Sequence, residues 1–166
     1  VAALDRTGGG ASPWNPGSNG TVFALDAGGG VVYAGGFFSV VGGLSRVDLA
    51  AVDAATGSTT AWNPKPDNQV FAVHLKGDRL YVGGVFAKFG LATFRGRVAA
   101  IEVASGNPVA TWNPIANSSV LALWSSGTVV YAGGDFTAMG AQARTFAAAI
   151  DSATGSVTAW NPSAYG

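Results

Sequence analysis

The chain has 166 residues, of which 48% are hydrophobic and 11% charged, with nine basic and nine acidic side chains and no cysteine. That length and apolar content can bury one sizeable core, while the balanced, sparse charge excludes the basic footprint of a nucleic-acid binder or of a protein docked on an anionic membrane. The missing cysteine excludes disulfides, thiolate metal sites and thiol nucleophiles.

The 25 glycines, set among Ala, Val and Thr, suit many short strands joined by tight turns, so the chain reads as all-β. The uncharged run Ala27 to Leu44 contains seven glycines in 18 residues, and its counterpart one repeat later carries Lys76, Asp78, Arg79 and Lys88. Repeats of one architecture occupy one environment, so membrane insertion is rejected.

From the N-terminus, Val1 to Pro16 reads as the third and fourth strands of a unit without its first two, ending in Trp14-Asn15-Pro16. The same triplet recurs at Trp62, Trp112 and Trp160, at spacings of 48, 50 and 48 residues, the period of a propeller blade. Doublets Gly35-Gly36, Gly83-Gly84 and Gly133-Gly134 each begin 21 residues after a Trp. A single repeat domain over 1–166 follows: a half unit 1–16, units 17–64, 65–114 and 115–162, and a tail 163–166.

Each unit shows four apolar runs. In the middle unit the first is Val70 to His74, apolar on both faces as a strand between neighbouring sheets would be. A turn at Lys76-Gly77-Asp78 leads to Leu80 to Gly84, whose doublet marks a close backbone approach or a bend. A looser segment reaches Arg95 or Arg97 and the third run, Val98 to Glu102. The turns Asp53 to Gly57 and Asp151 to Gly155 give their acids a structural role, capping backbone amides. Glu102 to Gly106 lacks the Asp and the Thr of that turn. Proline then ends the fourth run, and its Trp is expected to pack between neighbouring sheets.

The run Tyr81-Val82-Gly83-Gly84-Val85-Phe86, an Arg as at Arg95, and then Val98-Ala99-Ala100-Ile101 resemble a kelch-like repeat of large secreted or surface-attached bacterial proteins, the delta-sixty type. The resemblance covers the whole chain and implies β-propeller blades of four antiparallel strands, about three and a half of them, in an extracellular or cell-surface setting. It implies no catalytic residue and no cofactor. Since propellers close with four to eight blades, the expected partners are the rest of a longer polypeptide or further copies of the chain.

Function is sought where the copies differ. The first strands end in Asp26, His74 and Trp124, which would share one mouth and could bind a protein or glycan ligand by hydrogen bonding and stacking. A second variable position follows the doublet, at Phe37, Val85 and Asp135, with Lys88 near it. Arg46, Arg95 or Arg97, and Arg144 are read as bonding carbonyls or turn acids. Asn19-Gly20-Thr21 and Asn117-Ser118-Ser119 match glycosylation sequons but read as turns. His74 has no second His and no nucleophile elbow beside it, and no metal site is expected. The reading is a non-enzymatic structural or ligand-binding module; the alternatives are a subunit assembling through its open sheet edge into a filament or multi-chain ring, and one wall of a carbohydrate-active or oxidase-type enzyme.

Overall fold

The computed structural model describes residues 1–162; the tail expected at 163–166 lies outside the described residues. It is all-β, with fifteen strands and no helix among the described residues. The first sheet has β1 (Thr21–Gly28), β2 (Val31–Phe37) and β5 (Leu49–Asp53); the second has β6 (Val70–Lys76), β7 (Arg79–Gly84) and β10 (Val98–Glu102). The third has β11 (Val120–Ser126), β12 (Val129–Gly134) and β15 (Ala147–Asp151), and in each sheet the strands are antiparallel in chain order.

The expected fourth strand of each unit is reduced to one bridge: Val52 to Thr59, Ile101 to Pro108 and Ile150 to Val157. A proline in one of these runs and the Trp-Asn-Pro triplet just beyond leave too few donors for a longer ladder. Conversely, the looser segment between second and third strands folds into a small hairpin in every unit: β3 (Val40–Val41) with β4 (Leu44–Ser45), β8 (Lys88–Phe89) with β9 (Thr93–Phe94), and β13 (Ala138–Met139) with β14 (Gln142–Ala143).

Residues 1–16 form a turn closed by the Leu4 to Ala11 bridge, in which Asp5 Oδ1 accepts from the amides of Thr7 and Gly8 at 2.8 and 2.6 Å. Asp53 and Asp151 cap the corresponding turns, each accepting from a Thr amide at 2.7 Å and from its hydroxyl, at 2.8 and 2.9 Å respectively. These bonds to the charged form hold all three carboxyls below the ordinary aspartate range. The turn without Asp and Thr keeps the same backbone closure, Gly106 N–H donating to Glu102 C=O at 2.9 Å, because Ser105 Oγ donates to Glu102 Oε2 in their place.

The sheets stand side by side through their first strands, with β6 flanked by β1 and β11. The core therefore consists of layers between sheets, one around Tyr33, Leu49, Trp62, Val70 and Leu80, and the next around Tyr81, Val98, Trp112, Val120 and Ile150. Trp62 and Trp112 each cross such a layer. Trp62 stacks edge-on against Tyr33 of its own unit at 5.3 Å and donates Nε1–H to the Glu102 carbonyl of the next at 3.2 Å. Trp112 packs on Tyr81 at 5.1 Å, with the ring planes tilted by 60°, and donates Nε1–H to the Asp151 carbonyl of the next unit at 3.0 Å. Trp14, from the half unit, donates to the Asp53 carbonyl at 3.1 Å.

Buried Arg46, Arg95 and Arg144 act inside their own units: each donates one η nitrogen to the carbonyl just before it and the other to the fourth run, at Thr60, Val109 and Thr158. Arg95, not Arg97, is the member of this set. Arg97 instead takes the left-handed backbone position (φ 65°) shared by Asp48 and Phe146.

Candidate functional site

Strand order decides which variable residues meet. Because β1, β6 and β11 lie next to one another in the same orientation, their C-terminal ends form one cluster. Asp26 Oδ2 accepts from the Leu75 amide at 2.7 Å and lies 3.5 Å from His74 Nδ1. The other imidazole nitrogen, Nε2, is 2.7 Å from Ser125 Oγ. The Trp124 ring packs against the imidazole with centroids 4.9 Å apart and planes tilted by 41°. The structure thus brings Asp26, His74 and Trp124 together and adds Ser125, one residue beyond Trp124, as the group that completes a chain across three sheets. His74 is buried, whereas Trp124 is 66% exposed, so the cluster has a fixed polar spine and an indole facing outward.

The other two candidates lie elsewhere. In the ladder of the third sheet Trp124 pairs with Tyr131 while Val120 pairs with Gly134, so Asp135, just past the doublet, stands at the opposite end of the sheet from the His74 cluster. Lys88 belongs to the β8–β9 hairpin, where its backbone amide donates to Asp67 Oδ1 at 3.1 Å and its side chain is exposed. The two sequons have a scaffold role. Asn117 Oδ1 accepts from the Thr137 and Ala138 amides at 2.9 and 3.1 Å, and Asn19 Oδ1 takes the Ser39 and Val40 amides in the first unit. Asp67 is their counterpart in the second unit, receiving the Ala87 and Lys88 amides.

The order acid, imidazole, hydroxyl is that of a serine-nucleophile relay, with the acid on Nδ1 and the hydroxyl on Nε2. Its setting differs from a nucleophile's. Ser125 lies within a paired strand opposite Val130, not on a sharp turn that would thrust it toward a substrate beside free backbone donors. What the arrangement does chemically is tie three first strands together by polar contacts at one end and hold an aromatic face there. Among the described residues no group of three or more His, Asp or Glu side chains could hold a metal ion.

No protein-family model and no curated protein matches the chain. Solved structures do. The computationally designed Ika4 protein superposes with a TM-score of 0.62 at 15% identity, over 91% of this chain and 78% of its own. The computationally designed Ika8 protein gives 0.56 at 16% identity, over 82% of this chain and 35% of its own, so this chain spans about a third of that one. At these identities the likeness is one of fold alone.

Proposed function

We propose that this chain is a non-enzymatic β-propeller segment, secreted or held at the cell surface, serving as a structural or ligand-binding module of a larger surface protein or assembly. One observation carries it: the same joint between sheets is made twice inside the chain, while the outward faces of the first and last sheets are left with exposed apolar side chains. Leu25 on β1 and Leu121 and Trp124 on β11 are exposed, whereas the equivalent stretch of β6 is largely buried. Three units are fewer than the four to eight with which propellers close, so a chain of this kind works with further units beside it. The kelch-like, delta-sixty resemblance of the repeat supports the extracellular setting.

If units are modular, adding one stabilises the array. A chain with a second copy of residues 65–114 placed after Pro162 is expected to melt several degrees higher than the present chain in a thermal scan followed by circular dichroism. An unchanged or lower midpoint would remove the modular reading.

A ligand-binding role is favoured by the Trp124 indole beside the Asp26–His74–Ser125 chain, a stacking face next to polar groups of the kind that holds a sugar ring. Titrating the chain with mono- and oligosaccharides should change its tryptophan emission, and Trp124→Ala should abolish the change. A response that persists in that variant would place binding elsewhere.

A further inference from the structure

The joint between consecutive units has three parts, and each part has an open counterpart at the two outer faces. The first is a valine pressed into a glycine. A Cβ on Gly35 would stand 2.6 Å from Val70 Cγ1 of the next unit, and one on Gly83 would stand 2.6 Å from Val120 Cγ1. At Gly133 a Cβ would meet nothing nearer than 3.8 Å, and Val22, the equivalent of Val70 and Val120, is only half-buried. The second part is the indole bond from Trp62 or Trp112 to the next unit's turn carbonyl. Trp160 is 46% exposed and stacked on Tyr131 at 5.5 Å, with no following unit to meet among the described residues. The third is the packing of first strand on first strand, from β1 to β6 to β11, which leaves one apolar face at each end.

The face of the third unit is therefore shaped for what the first and second units already hold, and the face of the first unit is shaped like what they hold it with. Neither repels the other, since Asp26 is the one ionisable side chain on β1 and β11 has none. We propose that the open face of the third unit docks the first unit of a second copy of this chain, and that residues 1–16 are the resident competitor for that contact. Trp14-Asn15-Pro16 sits on the Asp53 carbonyl and against Gly57, the place that Trp160-Asn161-Pro162 of the second copy would take, by the pattern of Trp62 on Glu102 and Gly106. The two segments are alike, with an acid nine residues before the Trp in both, Asp5 and Asp151. Beside the resident segment lies a cleft of about 450 Å³ lined by Trp14, Leu25, Asp26, Val32 and Ala54, the space that a preceding unit would fill. Two copies joined head to tail at both ends present six units, within the range that closes a propeller, and use up both open faces. This inference rests on the modular reading above and names its partner.

The test is sedimentation of the full chain and two variants over a range of concentrations. Trp14→Ala loosens the resident segment and is expected to lower the concentration at which one copy becomes two by about tenfold or more. Adding Gly133→Leu puts a side chain into space that is open in the single chain but would meet Val22 of the second copy; it should return the particle to one copy with an unchanged far-ultraviolet spectrum. The proposal is overturned if Trp14→Ala leaves association unaltered, if association survives Gly133→Leu, or if the particle exceeds two copies. A stabilising appended unit alongside a Trp14→Ala chain that stays single would retain the modular reading and discard this one.

Discussion

Trp112→Ala is expected to destabilise the chain by about 3–5 kcal/mol, the usual loss when a fully buried tryptophan is truncated, whereas Trp160→Ala should cost roughly 0.5–1 kcal/mol, as for a partly exposed ring with one aromatic neighbour. The two residues hold the same place in the repeat, so the difference isolates burial from sequence. Trp112 has no exposed surface and Trp160 has 46%. Trp112 packs on Tyr81 and gives its indole N–H to the Asp151 carbonyl, so its removal opens a void between the second and third sheets and takes from that carbonyl one of two donors, the Gly155 amide at 3.0 Å being the other. Trp160 makes the stacking contact with Tyr131 and meets no following unit among the described residues. Urea denaturation followed by circular dichroism reads both. Equal losses at the two sites would mean that the layers between sheets are not what holds the fold.

Much of this architecture was legible because a repeat states each rule several times. The Trp-Asn-Pro triplets recur with the period of the three sheets, and the continuous apolar runs fall on the strands that form ladders. The repeated arginines were readable as carbonyl donors, since a structural role is the simplest cause of a residue that returns in every unit. The small hairpins were not legible: two-residue strands such as Lys88–Phe89 have no period to detect. A signal for them did exist in Asn19, Asp67 and Asn117, spaced by 48 and 50 residues like the tryptophans, whose side chains pin each hairpin.

At the candidate site, the meeting of Asp26 with His74 followed from equal positions in adjacent units. Ser125 escaped notice because it is one residue out of step, and a period-2 argument places neighbours in a strand on opposite faces. Its contact with His74 depends on the stagger between β6 and β11, which no single strand's pattern contains. Asp135 and Lys88 were grouped with each other through sequence proximity to a doublet, but the antiparallel ladder carries the doublet back to the end of the sheet away from His74.

The glycine doublets make a sharper prediction, because the two members of each pair serve different contacts. A Cβ on Gly84 would lie 2.1 Å from the Gln69 carbonyl oxygen and 3.1 Å from Val70 Cα, backbone atoms of its own unit. Gly36 meets the Thr21 carbonyl and Gly134 the Ser119 carbonyl at the same 2.1 Å. The cause is local: in every sheet the first ladder slips at this point, between Val22 and Ala24, Val70 and Ala72, and Val120 and Ala122, and the bulge drives the preceding carbonyl into the second glycine. Backbone cannot rotate away as a side chain can, so Gly84→Ala and Gly134→Ala should each cost about 4 kcal/mol or more, at the exceptional end of single substitutions. The first glycine of each pair faces the next unit instead. Gly83→Ala must displace Val120 and should cost about 1–3 kcal/mol, while Gly133→Ala enters open space and should be neutral or stabilise by up to roughly 0.5–1 kcal/mol, the gain from removing glycine from a strand. Four alanine variants measured in one denaturant series therefore separate the bulge from the joint. A loss at Gly133 as large as that at Gly83 would require that its face already be covered in solution, as a second copy would cover it.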